Sequence, residues 1–257
     1  MCVRCVVSKT PHLSQSEQTI SPKNLFSRRS AMFAMAGLAA APFVPASALA
    51  KSDPPRPENQ LTPSAALDRL MQGNARYVKG ETTPKDFAST RAALAQGQNP
   101  YACLLSCADS RVGPEFCFDE SRGDLFVTRV AGNYVTTDIL ASLEYAVAVL
   151  NAPLIMVLGH TQCGAIGAAI DAYDNHTDYP GHTQSITTEL APAVAAVKGK
   201  KPDADALMHD VTVQNVRMNM AKLATSTPIL RRAVDSGSLK VVGGVYQLDT
   251  GKVELVS

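Results

Sequence analysis

The sequence predicts an α/β fold, a single domain in which a mostly parallel β-sheet is flanked by helices. Three observations carry this. Short apolar runs alternate along the chain with segments of helical periodicity. The runs are continuous rather than alternating in polarity, as in strands covered on both faces. Neither an internal repeat nor a linker interrupts residues 60–257, so one domain is expected there.

The chain has 257 residues, 46% hydrophobic and 18% charged. That is too apolar for a disordered chain, and one large domain or two small ones would fit the length. The formal net charge of +1 gives no basic footprint, so nucleic acid is not an expected partner. Six cysteines are too few for a disulfide scaffold, and each is judged by its neighbours.

Residues 1–50 read as a cleavable leader. Arg4, Lys9, Lys23, Arg28 and Arg29 stand there against one acid, Glu17. Ser27-Arg28-Arg29-Ser30 precedes an Ala-rich run closing on Ala48-Leu49-Ala50, a small-x-small cleavage signature. Gly37, Pro42, Pro45 and Ser47 dilute the run below the roughly 20 apolar residues of a membrane anchor, so stable membrane insertion is not expected. The paired arginines point to the twin-arginine route, hence to the export machinery as a partner and to the periplasm. Proteins on that route cross folded, so a cofactor can be loaded in the cytoplasm first. Cys2 and Cys5 then leave with the leader, and Cys103, Cys107, Cys117 and Cys163 remain.

Residues 51–61 are Pro-rich and polar, a flexible stem before a domain over 62–257. Thr62-Pro63 reads as an N-cap with Pro at the first helical position. Leu67, Leu70, Met71 and Tyr77 fall at helical spacing, which predicts a helix over 63–78 despite Gly73. A short helix is expected over 92–96. The apolar run Tyr101 to Ser106 is a buried strand that stops at Cys107-Ala108-Asp109. Leu125 to Val130 is a second strand, followed by Gly132-Asn133. Thr137 is a cap for a helix over 138–150, stopped by Asn151-Ala152-Pro153. Leu154 to Leu158 is a third strand running into Gly159-His160. A helix is expected from Cys163 to Tyr173, a loop over 174–185, and helices over 187–197 and 206–225. Pro228 begins another helix, ended by Gly237. Leu239 to Leu248 is a strand, and Asp249-Thr250-Gly251 folds it back onto Lys252 to Val256 as a hairpin.

Two segments following predicted strands carry chemistry: Cys107-Ala108-Asp109-Ser110-Arg111 and Gly159-His160-Thr161-Gln162-Cys163-Gly164. Open parallel sheets bind ligands beyond the carboxyl ends of their strands, so neighbouring strands would bring Cys107, Asp109, His160 and Cys163 together. Two thiolates and an imidazole suit zinc, with a fourth position for water or Asp109. Singly, each residue also suits a plainer role: a buried cysteine, a hydrogen-bonded core histidine, a surface Asp–Arg pair. Whether such a zinc is structural or catalytic stays open on these residues alone.

C-A-D-S-R at 107–111 and H-T-Q-C-G at 160–164 resemble the β-class carbonic anhydrases. So do Gly123 to Val127, R-V-A-G-N at 129–133, Ser142 to Ala146, and V-V-G-G-V-Y with T-G-K-V near the carboxyl end. The resemblance spans about 60–257. It implies zinc-dependent reversible hydration of carbon dioxide to bicarbonate and a proton. It implies one zinc per chain, held by Cys107, His160 and Cys163, with Asp109 either on the metal or paired with Arg111. Gln98, Phe126 and Tyr145 match pocket residues of the plant-type branch, and Gly164 a glycine whose amide faces substrate. Neighbouring subunits share pockets in that family, so a homodimer or tetramer is implied. One departure is Leu104. The branch with an inhibitory bicarbonate site has tryptophan there, and this chain has no Trp.

Three rival readings remain at this level. A related zinc hydrolase would act on carbon disulfide or carbonyl sulfide; Gln98, Phe126 and Tyr145 favour carbon dioxide. A non-catalytic, zinc-stabilised binding module would have no use for Arg111 beside a carboxylate. Redox use of Cys107 and Cys163 lacks the C-x-x-C spacing.

Overall fold

The computed structural model describes residues 60–200 and 206–257; the leader, and the stem apart from Gln60 and Leu61, lie outside them. The described residues form α1 (Pro63–Lys79), α2 (Arg91–Leu94), β1 (Ala102–Ser106), α3 (Pro114–Cys117), β2 (Leu125–Arg129), α4 (Thr137–Ala148), β3 (Leu154–His160), α5 (Gly164–Asn175), α6 (Thr183–Lys198), α7 (Leu207–Thr225), α8 (Ile229–Asp235), β4 (Lys240–Tyr246) and β5 (Val253–Val256). The strands make one sheet in the order β2-β1-β3-β4-β5. The first four run parallel, and β5 closes the expected hairpin antiparallel to β4. Among the described residues no helix is long and apolar enough to cross a membrane.

β1 and β3 are buried along their whole length, because helices cover both faces. Side chains alternate between the faces. Ala102, Leu104, Leu154, Met156 and Leu158 pack with Ala66 and Leu70 of α1. Cys103, Leu105, Ile155 and Val157 pack on the opposite face with Leu143 of α4, Val216 and Leu223 of α7 and Leu230 of α8. A third cluster joins α5, α6 and α7 through Ile166, Ala169, Leu190, Val194 and Val211, and reaches Cys107 and Cys163.

Thr62 caps α1 as expected, accepting from the Ala65 amide at 3.3 Å. Gly73 is no weakness in that helix. A Cβ there would lie 1.8 Å from the Phe118 carbonyl oxygen, so only glycine lets α1 sit down on that backbone. Several boundaries differ from expectation. The cap of α4 is Thr136, which accepts from the Ile139 amide at 3.2 Å; Thr137 is the first helical residue. α5 continues to Asn175 and α6 begins at Thr183, which shortens the loop expected over 174–185. α3, four residues long, was not foreseen, since a single turn has no periodicity to detect.

Candidate metal centre

The chain leaves β1 for β2 on one side and re-enters the sheet at β3 on the other, so β1 and β3 flank a topological switch point. Loops leaving that point share one crevice. The register sets Ser106 opposite Leu158, which brings Cys107, one residue past β1, beside the end of β3. His160 is not in the loop after β3 but is its last residue: Gly159 and His160 extend the strand by pairing with Val245 and Tyr246 of β4. Cys163 is the N-cap of α5.

Cys107, His160 and Cys163 are all buried, and their ligand atoms lie within 4.8 Å of one another. The two sulfurs are 3.9 Å apart. Tetrahedral zinc with Zn–S bonds near 2.3 Å would hold two sulfurs about 3.8 Å apart. The His160 ring is fully buried. Its Nδ1 lies 2.9 Å from the Thr161 carbonyl oxygen; as the protonated nitrogen it donates there, leaving the Nε2 lone pair for a ligand. Among the described residues Nε2 has no hydrogen-bond partner, which is costly for a buried polar atom. The donor set, its spacing and the orphaned nitrogen fit zinc.

Of the two sulfurs, Cys107 is the one held anionic. The bond from Cys163 holds the Cys107 thiol well below the ordinary thiol range; burial opposes this, and His160 and the Gly132 and Asp109 amides assist. The Gly132 amide lies 3.3 Å from the Cys107 sulfur. The bond to Cys107, burial and the charge on Cys107 push the Cys163 thiol up, and the Ile166 and Ala165 amides at the start of α5 only partly oppose them.

Asp109 stands at the rim, Oδ2 3.9 Å from His160 Nε2. Arg111 grips it with Nε on Oδ1 at 2.9 Å and Nη2 on Oδ2 at 2.7 Å, and the Arg111 amide adds a bond to Oδ1 at 2.9 Å. The Arg111 side chain, acting against burial, holds the Asp109 carboxyl well below the usual carboxylate range. The Asp109–Arg111 pairing is the arrangement present.

Two further residues shape the site, and the motif reading assigned neither a role. Arg129, at the end of β2, donates to the carbonyls of Cys107 at 2.9 Å, Asp109 at 2.7 Å and Val112 at 2.8 Å. One guanidinium thus ties down the whole loop carrying the first cysteine and the carboxylate. Gln162 has φ 56°, a left-handed conformation that costs a non-glycine residue roughly 1 kcal/mol. Its carbonyl accepts from Arg111 Nη2 at 3.1 Å, so Arg111 bridges the two motif loops.

Gly164 opens α5 beside Cys163 and faces open space: a Cβ there would meet nothing within 4 Å. Gln98, Phe126 and Tyr145 are not gathered at the centre. Gln98 is exposed in the segment entering β1, at the opposite end of the strand from Cys107. Phe126 lies opposite Cys103, several residues short of the crevice, and its ring faces Tyr145 of α4 at 6.5 Å between centroids.

The sequence model of the carbonic anhydrase family matches residues 102–253. Carbonic anhydrase 2 of Mycobacterium tuberculosis is 40% identical over 194 residues, 75% of this chain and 92% of that protein. The carbonic anhydrase of Mycolicibacterium smegmatis is 37% identical over 196 residues, 76% of this chain and 94% of that one. A solved β-carbonic anhydrase from Coccomyxa, in complex with acetazolamide, superposes with a TM-score of 0.59 at 29% identity, covering 74% of this chain and 86% of that chain.

Proposed function

The chain belongs to the β-carbonic anhydrase family and interconverts carbon dioxide and bicarbonate; from that premise we propose that Cys107, His160 and Cys163 hold one catalytic zinc per chain, with Asp109 and Arg111 as the working dyad. The convergence of three buried ligand atoms within 4.8 Å carries this reading. β-Carbonic anhydrases use zinc, and the metal supplies Lewis acidity that makes water a nucleophile near neutral pH. Every other task falls to the chain. Asp109 stays ionised beside the metal position and accepts a hydrogen bond from the attacking water, aiming its lone pair at carbon dioxide. Arg111 holds both carboxylate oxygens, so Asp109 is kept from taking the fourth ligand position itself. The Gly164 amide, at the start of α5, receives substrate oxygen.

Gln98, Phe126 and Tyr145 belong in this reading to a pocket completed by a neighbouring copy. Their distance from Cys107 within one chain supports that, as do the outward faces of Tyr145 on α4 and of its C-cap Val149, 48% and 57% exposed. A homodimer is the smallest unit that completes the site, and a tetramer would pair two such dimers. Residues 1–50 direct the folded enzyme through the twin-arginine route to the periplasm. Arg28→Lys together with Arg29→Lys is expected to leave the enzyme in the cytoplasmic fraction; unchanged export would refute the route.

Stopped-flow hydration assays with zinc analysis of residues 51–257 test the main reading. About one zinc per chain with hydration activity is expected. Stoichiometric zinc without turnover would contradict it.

A further inference from the structure

The geometry points to Asn215 and Asn219 of α7 as positioning residues for the Cys107 sulfur, acting through the Gly132–Val135 turn. This rests on the reading of Cys107 as a zinc ligand.

Both side chains are buried, 3% and 6% exposed, on a helix whose neighbouring Val211, Val216 and Leu223 are core. Two amides in such surroundings are unfavourable unless matched, and apolar residues of similar size would pack as well. Here every polar atom of the pair is matched, and the bonds lead in one direction. Asn219 Nδ2 donates to Asn215 Oδ1 at 2.9 Å and to the Asn215 carbonyl at 2.8 Å. Asn219 Oδ1 accepts from the Val135 amide at 2.7 Å. Asn215 Nδ2 donates to the Gly132 carbonyl at 2.9 Å. One turn further along α7, Lys222 Nζ donates to the Val135 carbonyl at 2.8 Å. The ladder ends on the metal centre, where the Gly132 amide donates to Cys107 Sγ at 3.3 Å.

The turn needs an external hold. Gly132 and Asn133 both have positive φ, 85° and 42°. A Cβ at Gly132 would stand 2.8 Å from the Leu190 side chain, so glycine is required there and brings its own flexibility. An amide aimed at a thiolate withdraws charge from it, so the ladder sets how much charge Cys107 gives its metal.

The test exchanges zinc for cobalt(II) in the full chain and records the thiolate-to-cobalt charge-transfer absorption. In Asn215→Ala the band is expected at lower energy than in wild type, because the sulfur has lost an oriented donor. Lys222→Met is expected to shift it the same way by less. Lys222 is exposed, so that variant folds even where Asn215→Ala does not, and its band then decides alone. A folded variant that is less stable but keeps the wild-type band would reduce the ladder to packing and overturn the proposal. A wild-type protein lacking the band altogether would overturn the ligand assignment instead.

Discussion

Arg111 Nη2 is shared between Asp109 Oδ2 at 2.7 Å and the Gln162 carbonyl at 3.1 Å. The side chain that orients the carboxylate thus also fastens the loop between two proposed metal ligands to the loop bearing the third. Arg111→Ala should free Asp109 to reach the fourth ligand position. Hydration is expected to fall by about 100-fold, the scale of a misplaced catalytic group, with zinc retained. A variant with full zinc and the wild-type rate would remove the dyad from the mechanism.

The pH profile follows from the ligand charges. Two thiolates offset the 2+ charge of zinc, so water there is less acidic than at a three-histidine site, where its pKa is about 7. Turnover of the zinc-loaded enzyme should climb through mildly alkaline pH. A profile flat from about pH 6.5 to 9 would contradict that charge argument.

Arg129→Met leaves three loop carbonyls without their donor at once. A loss of roughly 2 kcal/mol in urea unfolding is expected, together with zinc affinity weaker by about tenfold. Unchanged affinity would mean that the Cys107 loop holds its shape alone.

Asp119 sets an acid limit on the fold. Its side chain is 1% exposed and meets Arg76 at 2.6 Å, the Thr83 amide at 3.0 Å and hydroxyl at 2.9 Å, and Lys85 at 3.1 Å. Burial alone would raise the carboxyl; Arg76, Thr83 and Lys85 outweigh it and hold it at about 2. An unfolded aspartate titrates near 3.9. The ionised form therefore stabilises the fold fully above about pH 4, and the contribution is lost as pH falls to about 2. It amounts to about 2 kcal/mol. Asp119→Asn should flatten the stability curve across that window in acid titrations of unfolding. An unaltered slope would show that other carboxyls govern acid unfolding.

The strands and the cluster of Cys107, His160 and Cys163 were legible because each leaves a local signature. β1 and β3 are unbroken apolar runs, and each ends in a motif whose thiols and imidazole suit only a few chemistries. The supporting residues leave none. Arg129 sits at a strand end where a charged residue looks solvated, and its bonds reach back 17 to 22 residues. Asn215 and Asn219, four apart on α7, look like part of a polar helix face, yet that face turns inward onto the Gly132 turn. Gly159 and His160 read as loop in the sequence, yet both belong to β3, because their pairings are with β4, more than 80 residues away. Gln98, Phe126 and Tyr145 came from resemblance alone, and one chain does not bring them to the crevice.

Zinc K-edge X-ray absorption on the purified enzyme tests the central claim most directly. The account predicts one zinc per chain with two sulfurs at about 2.3 Å and one nitrogen near 2.0–2.1 Å. A shell of nitrogen and oxygen alone, in protein that hydrates carbon dioxide at full rate, would contradict it.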